Sequence, residues 1–155
     1  MNAAVTVRPG GERDRDFVRE LGRRSGASSV SPVREARYDD VVASFDRLIE
    51  FVFTRDHVVL IADEHGVQVG FLLLLFDIPD EVTLGRQAFV AYTVVEPFAR
   101  GRGAGRALMD AAEAAARARG LEYVSLMVTE ENRAARALYD GAGFVTERRM
   151  LTKPL

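Results

Sequence analysis

A glycine-rich turn at residues 100–106 joins an apolar strand to an alanine-rich helix, and it constrains the fold of this 155-residue chain more than any other feature. Gly101, Gly103 and Gly105 lack a Cβ, so the turn can adopt positive φ and a ligand can approach the main chain closely. The first turn of a helix presents unpartnered N–H groups and the positive end of the helix dipole, which favour an anion. The pattern therefore predicts a phosphate-bearing, nucleotide-like ligand.

The spacing within the turn argues against two familiar phosphate loops. A P-loop needs a lysine after its last glycine, but the only lysine of the chain is Lys153. The dinucleotide fingerprint G-x-G-x-x-G needs a small third residue. This chain has Arg106 or Leu108 there, depending on the starting glycine.

The turn resembles motif A of the GNAT superfamily of acetyl-CoA-dependent N-acetyltransferases, which reads Q/R-x-x-G-x-G/A after a strand ending in V-x-P. The matching residues are Arg100, Gly101, Arg102, Gly103, Ala104 and Gly105, after Val95, Glu96 and Pro97. A segment about thirty residues downstream is similar to motif B of the same family, N-x-x-A-x-x-L-Y-x-x-x-G-F. Its matching residues are Asn132, Ala135, Leu138, Tyr139, Gly143 and Phe144. Two motifs in the right order make the resemblance specific.

Composition sets further limits on function. The length predicts a single domain over residues 1–155. The chain has no cysteine and two histidines, so a disulfide framework, a thiolate nucleophile and a metal site are not expected. The 21 basic and 23 acidic residues are mixed along the chain, which argues against nucleic-acid binding. No signal-peptide core and no 18-residue apolar run are found, so we expect a cytoplasmic protein with no membrane partner.

Hydrophobic periodicity and turn residues predict six strands and four helices. The strands are expected at residues 5–8, 57–62, 67–76, 88–95, 121–128 and 144–151. Helices are expected at 13–24, at 34–54, after the glycine turn as far as Gly120, and after Asn132. Residues 72–76 are apolar in succession, which predicts a strand buried on both faces. The resemblance implies an α/β (α+β) GNAT fold in the order β-α-α-β-β-β-α-β-α-β. It has a mixed, mostly antiparallel sheet of six to seven strands and about four helices.

The resemblance also assigns residues to acetyl-CoA, with no metal. Backbone amides around the pyrophosphate would come from Arg102, Gly103, Ala104, Gly105 and Arg106, with Arg100 opening the loop. Main-chain groups of Val94 and Val95 would orient the pantetheine arm and stabilise the oxyanion. Asn132 could cap the last helix, bond the pantetheine arm, or do both.

Catalysis is expected to rest on one tyrosine. Motif B places Tyr139 where many relatives have the general acid that protonates the departing thiolate, although its helical face could equally fill the core. The family's acidic base has no counterpart, because the matching positions are Ala91 and Tyr92. The candidate bases are Glu96, which we expect to be solvated, Glu130, Tyr92, the weaker His57 and His65, or a bound water chain.

The leading hypothesis is an N-acetyltransferase that moves an acetyl group to a primary amine by direct attack in a ternary complex. The amine would belong to a small molecule, a peptide or a protein. The resemblance places acceptor selection near Arg34, Glu35, Tyr38, Asp39 and the loop 77–86, where carboxylates could attract a cationic amine. The alternative is a silent GNAT-fold sensor that holds an acyl-CoA without turnover. A homodimer is also possible.

Overall fold

A five-stranded sheet in the order β1-β2-β3-β4-β5 forms the centre of the computed structural model, which describes residues 5–155. The strands are β1 (Thr6–Pro9), β2 (His57–Glu64), β3 (Val67–Leu75), β4 (Ala88–Val95) and β5 (Val124–Leu126). β1 to β4 pair in antiparallel fashion, and β5 pairs with β4 in parallel. The glycine turn and one helix make the parallel crossover between β4 and β5, as a βαβ unit requires.

In the part of the chain that the structure describes, four α-helices cover the two faces of the sheet. They are α1 (Arg15–Ser25), α2 (Tyr38–Phe53), α3 (Ala104–Ala118) and α4 (Arg133–Gly141). α1 and α2 pack on one face, and α3 and α4 on the other. Within residues 5–155, no helix is both long enough and apolar enough to cross a bilayer.

β3 is the most deeply buried element, which confirms the two-faced burial predicted for it. Leu72 to Leu74 are fully buried and Leu75 is 2% exposed. Phe71, Leu73 and Leu75 pack against α1 and α2, whereas Leu72 and Leu74 pack against α3. The sheet therefore separates two apolar clusters, and both α-helical layers depend on the same strand.

The sheet has five strands in the described residues, so the prediction of six to seven was wrong. Residues 144–151 form no strand, and β5 covers only part of the predicted 121–128. A strand needs a backbone partner as well as alternating side chains. β5 forms only three residue pairs with β4, and the apolar Val145, Met150 and Leu151 stay mostly exposed.

The second helix also begins later than predicted, at Tyr38 rather than near residue 34. Arg37 precedes it in an extended conformation, with φ −83° and ψ 146°. The acidic residues Asp39 and Asp40 occupy its first turn, where their negative charges interact favourably with the positive end of the helix dipole. Residues 30–37 are left as an irregular segment that connects the two helices.

A buried ion cluster fixes the amino-terminal part of the fold. Asp14 is 1% exposed and accepts two hydrogen bonds from Arg8, at 2.8 and 2.9 Å. It also accepts one from the Gln68 side chain at 2.6 Å. Arg8 in turn donates to Asp63 at 2.7 Å. The Arg8 hydrogen bonds lower the pKa of Asp14 to about 2, so the carboxylate stays charged and ties β1, α1 and the β2–β3 hairpin together.

Candidate functional site

The glycine turn presents free backbone amides at the start of α3. Gly101 and Gly103 have φ of 75° and 91°, which confirms the predicted positive φ at these two positions. Gly103 is the N-cap of α3 and has no side chain to accept from the first turn. The first intrahelical bond runs from Ala107 N to Gly103 O. The three N–H groups before it have no intrahelical acceptor, so they are available to an anion.

The prediction of positive φ was wrong for Gly105. It lies inside α3 and does not have positive φ. A Cβ at Gly105 would lie 2.9 Å from Cδ2 of Leu138 on α4. The absent side chain therefore allows α3 and α4 to pack closely.

Arginine side chains brace the turn from three directions. Arg100 donates to the carbonyl of Val95 at 3.2 Å. Arg102 pairs with Glu64 at the end of β2, with 3.1 Å between Nη1 and Oε2. Arg106 donates to the carbonyl of Gly141 at the end of α4, at 2.9 Å. These contacts fix the turn between β4, the β2–β3 hairpin and α4.

β4 and β5 diverge just before the turn. They pair only from Ala88 to Val90, and a register shift between β3 and β4 leaves Ala91 without a direct partner. A β-bulge of this kind bends and twists a strand. Beyond Ala91, β4 therefore has one paired edge, towards β3, and one open edge, towards β5.

The backbone of Val95 faces the open edge. Glu96 N donates to Val69 O at 2.7 Å, so these residues form a hydrogen-bonded pair. Because such pairs alternate in an antiparallel ladder, Val94 pairs towards β3, while the polar groups of Val95 and Thr93 point away from it. The half-buried side chains of Val94 and Val95 pack against opposite cores. Of these two residues, only Val95 directs its backbone polar groups to the open edge.

α4 carries the two motif B residues with predicted roles. Asn132 is confirmed as the N-cap, because its Oδ1 accepts from Ala135 N at 3.2 Å. Tyr139 is 9% exposed, and its ring centroid lies 5.8 Å from that of Phe144. Within residues 5–155, the Tyr139 hydroxyl makes no hydrogen bond. Burial raises the pKa of Tyr139, so the hydroxyl is protonated at neutral pH and can donate a proton.

Glu96 is not solvated, contrary to the prediction. It is 8% exposed, and both of its oxygens accept from Arg24 on α1, at 2.5 and 3.0 Å. Tyr92 is also engaged: its ring stacks on Phe71, and its hydroxyl donates to Gly22 O at 3.4 Å. Burial raises the pKa of Tyr92 to about 12, which disfavours a role as base.

The remaining candidate bases lie in different surroundings. Glu130 is exposed and pairs with Arg136 at 3.1 Å. His57 lies at the far end of the sheet, where β2 faces Leu75 of β3. His65 occupies the β2–β3 turn with φ 53°. Across residues 5–155, no three His, Asp or Glu side chains are grouped closely enough to hold a metal ion.

A cavity of about 340 Å³ lies between the end of α1, the segment 26–37 and the start of α2. Arg34 and Tyr38 line it, as predicted for the acceptor region, whereas Glu35, Asp39 and the loop 77–86 do not. Arg23 and Arg24 line it as well, together with the small apolar residues Ala27, Val30, Ala36 and Val41. Sequence reasoning missed both arginines, because nothing in the pattern of α1 distinguishes them from other exposed arginines.

Comparison with known proteins gives a consistent result. The model of the Acetyltransferase (GNAT) family matches residues 27–144. The chain is 28% identical over 141 residues to the uncharacterized N-acetyltransferase YhfO of Bacillus subtilis strain 168, covering 91% of this chain and 83% of that protein. A provisionally named acetyl transferase from Pyrococcus furiosus superposes with a TM-score of 0.81 and 25% identity, covering 98% of this chain and all of that one.

A shorter match links the chain to a larger enzyme. It is 56% identical over 50 residues to the mycothiol acetyltransferase of Beutenbergia cavernae. That alignment covers 32% of this chain and only 17% of the relative. The similarity is therefore local to one part of a much longer protein.

Proposed function

Because the chain belongs to the GNAT family of acetyltransferases, we propose that it transfers an acetyl group from acetyl-CoA to a primary amine by direct attack in a ternary complex. The observation that carries the proposal is the start of α3. Its first three N–H groups precede the first helical bond, behind two glycines with positive φ. Such a site suits the pyrophosphate of coenzyme A.

The donor site extends from the glycine turn along β4. Amides of Arg102, Gly103, Ala104, Gly105 and Arg106 would hold the pyrophosphate, with Arg100 at the loop entrance. The open edge of β4 at Val95 offers a backbone N–H to an extended arm with amide groups, much as a further strand would use it, while Arg100 contacts the Val95 carbonyl. Val94 holds this part of β4 in place because its backbone pairs with β3. Asn132 would contact the arm from the start of α4.

Acetyl-CoA supplies an acyl group already activated as a thioester, so the main task of the protein is positioning. Holding an amine next to a bound acyl donor can contribute several kcal/mol, up to about 7–11 kcal/mol in the best-oriented systems. Tyr139 would donate the proton that the departing sulfur needs, which contributes about 10²- to 10⁴-fold in rate. Its raised pKa keeps that proton available at neutral pH.

No side chain stands out as the base. Glu96 is held by Arg24, and Tyr92 is protonated and packed in the core. We therefore propose that the amine loses its proton to water, or binds in its neutral form. The same observation favours the second candidate function, an acyl-CoA sensor without turnover. The cytoplasmic location and the homodimer stay predictions.

The decisive experiment follows free thiol release from acetyl-CoA with a panel of amines, next to calorimetric titration with coenzyme A. We expect saturable coenzyme A binding and thiol release with at least one class of amine. Binding without release for every amine would favour the sensor. An absence of coenzyme A binding would refute both functions.

A further inference from the structure

The cavity between α1 and α2 carries uncompensated positive charge. Arg23 pairs with Asp46 through two hydrogen bonds of 2.7 and 2.8 Å. Arg24 pairs with Glu96. In residues 5–155, Arg34 has no carboxylate within 4.0 Å, and its one side-chain hydrogen bond goes to Thr152 Oγ1 at 3.5 Å. Three arginine side chains therefore line the cavity, and carboxylates neutralise only two of them.

The three guanidinium groups keep hydrogen-bond donors to spare. An arginine carries five N–H donors. Arg23 uses Nε and Nη2, Arg24 uses both Nη atoms, and Arg34 uses only Nη2. Arg23 Nη1, Arg24 Nε and most of Arg34 remain available. Guanidinium donors in this number suit a planar or tetrahedral oxyanion.

The carboxylates that lie near Arg34 in the sequence do not line the cavity. Glu35, Asp39 and Asp40 are exposed and lie outside its wall. The rest of the wall is formed by Tyr38 and by the small apolar residues Ala27, Val30, Ala36 and Val41. The volume of about 340 Å³ lies within the range of small-molecule sites. The lining of the cavity thus combines arginine side chains with small apolar side chains.

Two contacts connect the cavity wall to both sides of the β4–β5 opening. Arg24 is held by Glu96, which directly follows Val95 at the end of β4. The carbonyl of Ser29, in the segment 26–37, accepts from the hydroxyl of Thr129 at 2.8 Å, just after β5. An acceptor in the cavity would therefore lie beside the open end of the proposed donor site.

We propose that the amine acceptor carries an oxyanion, a carboxylate or a phosphate, which Arg34 binds with help from Arg24 and Arg23. This inference rests on the proposed function and deepens it. It also reverses the expectation of a cationic acceptor, because the carboxylates that suggested one lie outside the cavity. In the transfer, the amine nitrogen bonds the acetyl carbon and the carbon–sulfur bond breaks. The nitrogen loses one proton to water, and the sulfur gains one from Tyr139, which water then reprotonates. The oxyanion stays unchanged and serves only to hold the acceptor.

The test compares amines that differ only in their anion. γ-Aminobutyrate is paired with its amide, and phosphoethanolamine is paired with ethanolamine, so the two pairs distinguish carboxylate from phosphate. Each amine is titrated by calorimetry into the protein saturated with coenzyme A, and thiol release from acetyl-CoA is followed separately. We expect the charged member of at least one pair to bind about 10-fold tighter or more, because the loss of one charge-assisted hydrogen bond raises Kd by more than about 10-fold.

Variants locate the effect. Arg34→Met should abolish the preference for the charged member, and Arg34→Lys should retain part of it. Arg37→Met is the matched control, because Arg37 is exposed on the same segment and does not line the cavity. The control should keep the full preference.

The outcomes separate this inference from the proposed function. Equal binding within both pairs, or a preference that survives Arg34→Met, would overturn the inference even if uncharged amines are acetylated. A preference that Arg34→Met abolishes, with no thiol release from any amine, would support the anion site and refute the transferase function.

Discussion

Replacing Gly103 by alanine should weaken coenzyme A binding and should also lower the stability of the fold. Gly103 has φ 91°, and a Cβ built there has no neighbour within 4 Å. The strain of an L-residue in this region is about 1–2 kcal/mol. For a chain of this size that lowers Tm by about 2–8 °C.

The effect on the ligand has a separate cause. Relief of the strain would turn the amides at the start of α3, and each N–H to phosphate bond is worth about 1.5–3 kcal/mol. Loss of one such bond raises the Kd for coenzyme A by about 10- to 150-fold. Calorimetry measures this Kd, and thermal unfolding measures the stability.

Gly120→Ala is the matched control for this prediction. Gly120 follows the other end of α3, has φ 68°, and also has no neighbour within 4 Å of a built Cβ. It carries the same strain without touching the proposed phosphate site. Equal coenzyme A affinity in the two variants would refute the assignment of the α3 amides to the pyrophosphate.

Three further outcomes follow from the described contacts. Tyr139→Phe should lower kcat about 10²- to 10⁴-fold with little change in coenzyme A affinity. Because burial raises the pKa of Tyr139, the kcat of the wild-type enzyme should not fall with rising pH until above about pH 10. Asp14→Asn should remove about 2 kcal/mol of stability, worked from the lowered pKa. That contribution is present above about pH 4 and lost as pH falls towards 2, so urea unfolding at pH 5 and pH 2.5 should differ less in the variant. Gly22→Ala should destabilise by about 1–3 kcal/mol or more, because its Cβ would lie 1.9 Å from Cζ of Phe45; Gly11→Ala, with no such contact, is its control in the same urea assay.

Local patterns predicted the elements whose formation depends on nearby residues. Ala88–Val95 was expected as a strand with these bounds and is observed as β4. The cap at Asn132 and the helix stop before Gly120 depend on one residue each, and both are found. These features arise within a few residues of chain, so a single sequence contains the information for them.

Features that depend on distant partners were not predicted. Glu96 was expected in solvent, but its partner Arg24 lies 72 positions away along the chain. Gly105 was predicted to allow positive φ, whereas glycine is needed there because Leu138 on α4 packs against it. A glycine pattern does not distinguish positive φ from close helix packing. The strand at residues 144–151 failed for the same reason, since side-chain alternation specifies a face but no partner.

The two valines at the end of β4 have a consequence for how this family can diverge. Val94 and Val95 pack their side chains against separate cores, and it is the main chain of Val95 that faces the open edge of β4. Substitution there is limited by the volume that each core accepts rather than by chemistry. The proposed donor half would be a path of backbone groups, so it would tolerate the replacement of most side chains along it. The proposed acceptor half would instead depend on individual arginine side chains, so a single substitution would be enough to redirect it.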